Sequence, residues 1–514
     1  MWKIDNPQCN ESKKIVWEVA PYLRGRGLDL GAGDFKILPH AISVDNMNHA
    51  QFGFMVKPDV LCDVSKLDMF ASQSMDFVYS SHTLEHIEDW QGALREWWRV
   101  VRPTGYLILY LPHAHFYPNI GQPGANPDHK HDFLPDDIIN AMHDVTGGWD
   151  LVECQERNED QEYSMLLVFK KMQGKVRYRS HSLPKPDKTV CVVRYGAYGD
   201  LMQASSVWAM LKREGYHVTV FSSLPGADAV LHDPNIDNLV LFDKDQVPNQ
   251  NLVDFWNWQR KKFDKWVNLS ESVEATFLAL PGRSLHGFPP ALREKLTNHN
   301  YVEIQHTLAG VKYELGTQFY PTLEEKQWAL KTRESMGKGP VILWSLAGSS
   351  VHKTWPYLDN IIACLLVTYP TAHVILTGGP ECVILEGGWE KEARVHKMSG
   401  KWSIRHTLSI LPHMSLIIGP ETGVLNAAAC LDVPKVIFLS HSTHENLSRD
   451  WVNVHPMYSE KTVCKGRGNN ESAACHQLHY GWDHCTKSEK TSTAQCQEDI
   501  PPEDVWDRIV EILK

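Results

Sequence analysis

Short apolar runs rich in Val, Ile and Leu alternate with longer stretches of helical periodicity along nearly the whole chain. Short runs of this kind are typical of strands buried on both faces, and the longer periodic stretches are typical of helices. The regular alternation predicts parallel, doubly wound α/β sheets. Because ligands bind at the carboxyl ends of the strands in such sheets, the residues after each run are the candidates for function. The predicted strands are Gly27–Leu30, Phe77–Tyr79, Tyr106–Leu111, Val190–Val193, Val218–Phe221, Val341–Trp344, Val374–Thr377, Leu416–Ile418 and Val436–Leu439.

Two interruptions divide this pattern. The stretch KKMQGKVRYRSHSLPKPDK at residues 170–188 is basic, contains two prolines and has no helical or strand period, which predicts a solvated linker. A second break, GKGP, separates two α/β halves of similar size. We therefore predict three Rossmann-like doubly wound α/β domains, at residues 1–172, 188–336 and 337–514, with a linker at 173–187.

The composition narrows the class of protein. With 43% hydrophobic and 22% charged residues among 514, the chain resembles average soluble globular proteins. Its formal net charge of −11 argues against a protein that coats nucleic acid, although a local basic groove is compatible with it. Residues 1–14 lack the apolar core of a signal peptide, and the longest apolar runs are too short to span a bilayer. We expect a cytoplasmic location and no transmembrane segment.

The first apolar run leads into a glycine-rich turn, Gly27–Gly33, and the next predicted strand ends in Asp45. Glycine at positions 31 and 33 lets a ligand approach the backbone, because a Cβ would collide with it. A carboxylate at the end of the second strand can accept hydrogen bonds from both hydroxyls of a ribose. Asp63 follows a third short apolar run, where the edge of a purine would lie. Together these features predict a nucleoside site.

The motifs LDLGAG, SVD, CDV, DFVYSSHTLEHIED and ALREWWRVVRPTGYLILYLPH, in this order, resemble those of class I S-adenosylmethionine-dependent methyltransferases over about the first 170 residues. The resemblance implies S-adenosylmethionine as the cofactor. It implies that the cofactor-binding residues are Asp29, Gly31 and Gly33 (the two glycines under the methionine part), Asp45 at the ribose and Asp63 near the adenine. One departure is that residues 34–36, DFK, replace the usual third glycine, and the short segment that follows predicts a truncated first helix.

Methyl transfer from a sulfonium requires alignment of acceptor, carbon and sulfur, and a base when the acceptor is a hydroxyl. The candidate catalytic residues are His82, Glu85, His86 and His113, and residues 80–86 are expected to begin a helix. Each could instead cap a helix or hydrogen-bond within a loop. Residues 113–132 contain four histidines and two aspartates, a pattern compatible with a metal site or a polar substrate loop. Their spacing matches no compact metal motif, so no metal ligands are predicted.

A second glycine-bearing turn, RYGAYGD, follows the predicted strand at 190–193 and places Gly199 and Asp200 at the start of a helix. The Asp200 carboxylate could act as a general base, or it could be only a favourable charge at a helix N-terminus. Further along, SLAGSS at residues 345–350, followed by Lys353, predicts a cradle for a diphosphate. GPETG at residues 419–423 opens another helix, whose free amides could receive phosphate oxygens while Glu421 holds ribose hydroxyls.

The motifs RYGAYGD, SLAGSSVHKTWP, VILTGGPE and GPETGVLNAAACLDVPKVIFL resemble the heptosyltransferase family of lipopolysaccharide biosynthesis, which has the GT-B fold, over about residues 188–514. The resemblance implies inverting transfer from a nucleotide sugar of the ADP type, without an obligatory metal. It implies Asp200 as the base on the acceptor hydroxyl and Lys353 as the group that stabilises the departing phosphate. The donor-binding residues would be Gly199, Ser349, Lys353, Glu421, Thr422 and Gly423. Glu421 and Asn426 stand where the family commonly has aspartate and histidine, so heptose is not assumed as the sugar.

Two further features leave alternatives open. Cys464, Cys475, Cys485 and Cys496 resemble the cysteine-containing end of the same family, but their wide spacing is unlike paired zinc knuckles, so zinc binding stays open. Three tryptophans, at positions 256, 258 and 266, lie in a basic, helix-like segment and could pack in a core or stack on a sugar or base.

The leading hypothesis is a bifunctional enzyme in which one half transfers a sugar from a nucleotide-sugar donor to a glycan or small-molecule acceptor. The other half would methylate that glycan or its precursor. A second hypothesis keeps the chemistry but changes the acceptor to a nucleic-acid base, as in hypermodified viral DNA, which the acidic charge disfavours. A third treats the first domain as a non-catalytic module that binds S-adenosylmethionine or serves as a scaffold.

Overall fold

The computed structural model describes residues 11–46, 57–173, 177–179, 186–270, 299–348, 353–440, 442–459 and 487–514, together with isolated positions at 289, 292 and 295. Within these residues the chain forms two compact units. The first contains the described residues up to Pro186 together with Leu241–Lys262, and the second contains Asp187–Val240 and the described residues from Phe263 to Lys514. No helix within the described ranges combines the length and apolar character needed to cross a membrane.

The secondary structure follows the alternation of apolar runs and helical stretches. The strands are β1 (Gly27–Leu30), β2 (Ile42–Asp45), β3 (Val60–Leu61), β4 (Met75–Ser81), β5 (Val101–Pro112), β6 (Gly148–Arg157), β7 (Ser164–Met172), β8 (Arg177–Arg179), β9 (Thr189–Val193), β10 (His217–Ser223), β11 (Asn238–Phe242), β12 (Lys265–Asn268), β13 (Val341–Ser345), β14 (His373–Thr377), β15 (Val395–Lys397), β16 (Leu416–Pro420), β17 (Lys435–Phe438) and β18 (Val454–Met457). The helices are α1 (Glu11–Val19), α2 (Trp90–Val100), α3 (Pro135–Met142), α4 (Tyr198–Arg213), α5 (Leu224–Ala227), α6 (Leu252–Gln259), α7 (Tyr301–Ala309), α8 (Leu323–Ser335), α9 (Leu358–Thr368), α10 (Ile404–Ile410), α11 (Gly423–Ala427), α12 (Gln495–Glu498) and α13 (Pro502–Leu513).

The first unit is built on a sheet with the strand order β3-β2-β1-β4-β5-β7-β6-β8. Strands β3 to β5 pair in parallel, and β7 pairs antiparallel with both β5 and β6. The order 3-2-1-4-5 is the doubly wound arrangement in which ligands bind at the carboxyl ends of the strands. That edge carries Gly31, Asp45 and His82, each just after or at the end of its strand.

The segment Leu241–Lys262 belongs to the first unit although it follows β10 in the chain. Phe255 on α6 is fully buried, and its ring meets the ring of Trp17 on α1 at 6.3 Å between centroids. Gln246 and Gln259 donate from their side-chain amides to backbone oxygens at Ala20 and Trp17, at 2.8 and 2.6 Å. Burial of one phenylalanine side chain contributes about 1.5–3 kcal/mol, which helps to anchor this segment.

The second unit contains two sheets. One has the order β11-β10-β9-β12, and the other has the order β15-β14-β13-β16-β17-β18, in which each neighbouring pair is parallel. A continuous core of buried apolar side chains includes residues from both sheets and from α4 and α11. The predicted α/β class with parallel sheets is confirmed. The predicted domain borders stay a prediction.

Four local predictions differ from the structure. The segment at residues 31–41, between β1 and β2, forms no helix in place of the predicted truncated one, because its chain is taken up by turns. Residues 80–86 do not begin a helix: β4 continues to Ser81, only a 3-10 turn forms at Leu84–His86, and α2 starts at Trp90. Trp266 lies in strand β12 and not in the helical segment with Trp256 and Trp258, both of which are half-buried on α6. Strand β8 lies inside the predicted linker and pairs with β6.

Candidate functional site

A cleft of about 810 Å³ in the second unit collects most of the residues predicted for sugar transfer. It lies at the carboxyl ends of β9, β13, β14 and β16 and at the N-termini of α4 and α11. The predicted residues that line it are Gly199, Asp200, Lys353, Glu421, Thr422 and Gly423. Ser349 lies outside the described residues, as do Cys464, Cys475 and Cys485.

Asp200 is held in the cleft by an arginine that the sequence analysis did not single out. Arg194 follows β9 and is only 1% exposed, and its Nη2 donates to Oδ1 of Asp200 at 2.7 Å. Its Nη1 donates to the backbone oxygen of Ser270 at 3.2 Å. The backbone amide of Ala197 donates to Oδ2 of Asp200 at 2.8 Å, which caps the start of α4. Since each carboxylate oxygen has two lone pairs, Asp200 keeps acceptor capacity toward the cleft.

Lys353 approaches the cleft from the loop after β13. Its side chain is largely buried, and Nζ donates to the backbone oxygen of Glu421 at 2.9 Å. Burial lowers the pKa of Lys353, and the negative charges of Glu421 and Asp200 act in the opposite direction. An added Cβ at Gly348 would lie 2.5 Å from Cδ of Lys353, so the loop passes close beside the lysine stem. The ammonium group is therefore directed at the same space that Asp200 faces.

The N-termini of α4 and α11 touch at two glycines. A Cβ at Gly423 would lie 2.9 Å from Cβ of Tyr198 and 3.0 Å from the backbone nitrogen of Gly199. A Cβ at Gly199 would lie 3.0 Å from Nδ2 of Asn426. Only residues without a side chain permit this approach. Because the first amides of a helix have no partner within the helix, two sets of amide donors converge here, which suits an anionic ligand.

Glu421 is buried, and its carboxylate binds the chain just after β17. Its Oε1 accepts hydrogen bonds from the backbone amides of Ser440 and Ser442 at 2.6 and 3.1 Å, and its Oε2 accepts one from Oγ of Ser442 at 3.2 Å. The hydroxyl of Thr422, next to it, lies 3.2 Å from Oγ of Ser345 and accepts from the amide of Leu425 at 3.4 Å. Glu421 thus fixes two neighbouring strand ends of the cleft, while its predicted contact with a ribose stays a prediction.

The first unit shows the geometry of the predicted nucleoside turn. Gly31 has a φ of +71°, and a Cβ there would lie 2.1 Å from Oγ1 of Thr83. The buried carboxylate of Asp29 accepts from the amide of Ile37 at 2.7 Å, and burial raises its pKa to about 7. The buried Asp45 carboxylate reaches back to the turn and accepts from the amide of Gly33 at 3.1 Å. The turn is thus organised by two carboxylates.

The surroundings of this turn fit the predicted cofactor in part. A Cβ built at Gly33 meets no atom of the described residues within 4 Å, so these residues leave space beside the turn. Asp45 stands at this edge with a carboxylate suited to ribose hydroxyls. Asp63 is exposed and accepts from the amide and hydroxyl of Ser65 at 2.9 and 2.7 Å. Its predicted position near an adenine stays a prediction.

Two of the predicted catalytic histidines, His82 and His113, have different surroundings. His82 has a φ of +46°, its Nε2 lies 3.0 Å from Oγ of Ser164, and burial lowers its pKa to about 3. His113 is buried with its ring stacked on Phe116 at 4.2 Å between centroids. Its Nδ1 accepts from the amide of His115 at 3.2 Å, and burial lowers its pKa. The imidazole of His82 is therefore neutral at pH 7.

His82 also faces Glu85, another of the predicted candidates for the base. Glu85, on the 3-10 turn Leu84–His86, is fully buried, and burial raises its pKa to about 8. His86 and His129 face the same carboxylate, and burial lowers the pKa of His129 to about 4. The turn and the loop that carries His129 are joined by the amide of Lys130, which donates to the backbone oxygen of Glu85 at 2.8 Å.

The chain has one family match and is similar to several solved structures. Residues 35–109 match the family described as "Methyltransferase domain". Among solved structures, the chain is similar to the glycosyl transferase family 9 protein of Veillonella parvula, with 13% identity, 65% of this chain and 99% of that chain covered, and a TM-score of 0.46. It is similar to ADP-heptose lps heptosyltransferase II of E. coli, with 15% identity, 63% and 98% covered, and a TM-score of 0.45.

The chain is also similar to an S-adenosylmethionine dependent methyltransferase from Mesorhizobium loti, with 17% identity, 32% of this chain and 100% of that chain covered, and a TM-score of 0.26. No curated protein matches the sequence. The family match begins two residues after Gly33, the last residue of the glycine-rich turn, and includes β2, β4 and the 3-10 turn Leu84–His86. The match confirms the methyltransferase resemblance predicted from the motifs, in that residues 35–109 of the first unit are similar to this family.

Proposed function

We propose that the second unit transfers a sugar from a nucleotide-activated donor to a hydroxyl of a glycan or small molecule, and that the first unit methylates this glycan or its precursor. The observation that carries the proposal is the cleft of the second unit. It is lined by a carboxylate (Asp200), a buried ammonium (Lys353) and the glycine-containing N-termini of two helices. A cytoplasmic location belongs to the same proposal.

In this mechanism the acceptor hydroxyl lies against Asp200, which removes its proton as the oxygen attacks the anomeric carbon of the donor sugar. The bond from that carbon to the phosphate oxygen breaks, and the phosphate leaves with the electron pair. Arg194 holds the carboxylate by its 2.7 Å ion pair, so that the oxygen facing the cleft keeps its direction. Attack opposite the leaving group inverts the configuration at the carbon.

The developing charge on the leaving phosphate would be met by donors that are already in place. Lys353 supplies a positive charge from a buried position, where electrostatic interactions are stronger than in water. The starts of α4 and α11 line the same cleft, and Thr422 and Gly423 belong to the second of these. Because these groups need no rearrangement during the reaction, they stabilise the transition state more than the ground state.

For the first unit we propose that S-adenosylmethionine lies over the turn at Gly31 and Gly33, with Asp45 at its ribose. The cofactor, when bound, supplies a methyl group on a sulfonium. Asp29 accepts from the amide of Ile37 and thereby holds the chain that follows the turn. His82 and Glu85 follow β4, the neighbour of β1, so the methyl acceptor would lie on their side of the turn.

The test uses the full-length chain with labelled nucleotide sugars and, separately, labelled methyl donor. Asp200→Asn and Lys353→Met should each lower sugar transfer by about 100-fold or more, as expected for a lost base or transition-state charge. Methyl transfer to an exogenous acceptor should persist in both variants. Asp504→Asn and Lys331→Met are matched controls, since both residues are exposed on helices outside the cleft. Wild-type sugar transfer in Asp200→Asn would rule out the proposed mechanism.

A further inference from the structure

The buried carboxylate of Glu85 lies at the centre of three histidines in the first unit. Its Oε1 is 3.8 Å from Nδ1 of His82, 3.8 Å from Nε2 of His86 and 3.8 Å from Nε2 of His129. These separations exceed the hydrogen-bond range of about 2.7–3.2 Å. Within the described part of the chain, neither oxygen of Glu85 has a hydrogen-bond partner.

A buried carboxylate without hydrogen bonds destabilises the folded state, because burial removes its hydration and no other polar group replaces the lost water. Three imidazole nitrogens surround Oε1 of Glu85 at 3.8 Å, beyond hydrogen-bond distance. A cation between these groups accounts for both observations, since it compensates the charge and keeps the ligand atoms apart. Ligand atoms about 2.0–2.2 Å from one ion can themselves be 3.8 Å apart.

A hydrogen bond at one ring nitrogen of His86 leaves a lone pair for a metal ion on the other. Nδ1 of His86 lies 3.2 Å from the backbone oxygen of Asp128, and a carbonyl oxygen can only accept, so Nδ1 carries the proton. The lone pair is then on Nε2, the atom that faces Glu85. A metal-ligating histidine usually has this kind of partner on its second ring nitrogen, which fixes the tautomer and the ring direction.

The structure assigns a divalent transition-metal site to Glu85, His86 and His129, whose ligand atoms all lie within 4.8 Å of one another. His82 lies beside them, with Nδ1 toward the same oxygen. Imidazole nitrogens with one carboxylate suit ions of the zinc, cobalt or manganese type better than calcium or magnesium. No metal ligands were predicted because the spacing within residues 113–132 matches no compact metal motif, and only the fold brings His86 from another segment beside His129.

The position of this site relative to the glycine-rich turn suggests its use, and this use rests on the proposed methyl transfer. Gly31 is in contact with Thr83, one residue from His82 and two from Glu85. A hydroxyl of the methyl acceptor that binds the ion would have its pKa lowered, as metal-bound water does. Its oxygen then forms the C–O bond while the C–S bond of the sulfonium breaks, the sulfur keeps the electron pair, and the hydroxyl proton passes to solvent.

Cobalt binding tests the site without any substrate. The full-length chain is freed of metal with a chelator and titrated with Co²⁺, and bound metal per chain is measured together with the visible absorption spectrum. Wild type should bind one equivalent more than Glu85→Gln or His129→Gln, with the spectrum of nitrogen and oxygen ligands. A site at the C-terminal cysteines would instead show thiolate charge-transfer absorption and would persist in both variants. His143→Gln, an exposed histidine of the same unit, should bind as wild type does.

Circular dichroism and thermal unfolding establish that the variants are folded. Equal Co²⁺ binding by wild type, Glu85→Gln and His129→Gln would overturn the site, whatever the two transfer activities prove to be. The role in catalysis has a separate readout, in which chelation should abolish methyl transfer and added Co²⁺ should restore it in wild type but not in Glu85→Gln. Methyl transfer that continues unchanged after chelation would overturn this role and leave the binding result in place.

Discussion

The contact between the N-termini of α4 and α11 leads to the sharpest prediction, the effect of Gly423→Ala. The added Cβ would lie 2.9 Å from Cβ of Tyr198 and 3.0 Å from the backbone nitrogen of Gly199. Carbon atoms prefer separations of about 3.5–4.0 Å, so the helices must separate by about 0.6–1 Å at this point. Overpacking of this kind lowers the free energy of unfolding by about 1–3 kcal/mol. The better helix propensity of alanine offsets about 1 kcal/mol of this loss.

The effect on activity should exceed the effect on stability. Asp200 is in the first turn of α4, and the proposed phosphate donors are at the start of α11, so this separation changes the distance between the base and the leaving-group site. A displacement of about 1 Å can lower a rate by about 100-fold. We therefore expect kcat for sugar transfer to fall by about 100-fold. The loss of roughly 0–2 kcal/mol in the free energy of unfolding should lower Tm by about 2–4 °C per kcal/mol.

The assay compares kcat for sugar transfer and the thermal unfolding of Gly423→Ala with those of Gly316→Ala. The nearest atom to a Cβ at Gly316 is Cβ of Ser206 at 3.8 Å, an ordinary contact, so the control should keep the activity and Tm of wild type. Methyl transfer by the first unit should be unchanged in both. Wild-type sugar transfer and an unshifted Tm in Gly423→Ala would refute the argument that this close approach sets the geometry of the cleft.

Three further predictions concern single buried groups. Arg194→Met removes the 2.7 Å ion pair that directs Asp200 and should lower kcat for sugar transfer by about 10–100-fold, whereas Arg213→Met, at an exposed pair, should leave the rate unchanged. Trp208→Phe removes the 2.7 Å hydrogen bond to the buried Asp233 and should lower the free energy of unfolding in urea by about 1–3 kcal/mol; an unchanged denaturation midpoint would contradict this. Burial raises the pKa of Asp29 from 3.8 to about 7, so the folded state binds the proton of this group more tightly than the unfolded state does. The contribution of Asp29 to the free energy of unfolding therefore falls as pH rises from about 4 to 7. The difference in unfolding free energy between wild type and Asp29→Asn should decline over that pH range, and a pH-independent difference would contradict the burial argument.

Several parts of this protein follow from the sequence because they depend on neighbours along the chain. The strand and glycine turn at Gly31, and the strand, turn and helix start at Gly199–Asp200, are local features, so residue type and order were enough to predict them. The burial of the strands on both faces follows from their uninterrupted apolar runs, and the predicted parallel sheets were confirmed.

Only the tertiary structure decided which distant residues meet. The ion pair of Arg194 with Asp200 needs the side-chain directions at the end of β9, which the apolar pattern does not give. Glu421 binds Ser440 and Ser442 because β16 and β17 are neighbours in the sheet, a pairing that no local signal specifies. The 3-10 turn in place of a predicted helix directs Glu85 inward, where the loop at His129 closes over it. Local periodicity determines the elements, whereas contacts across the fold determine the partners of each buried charge.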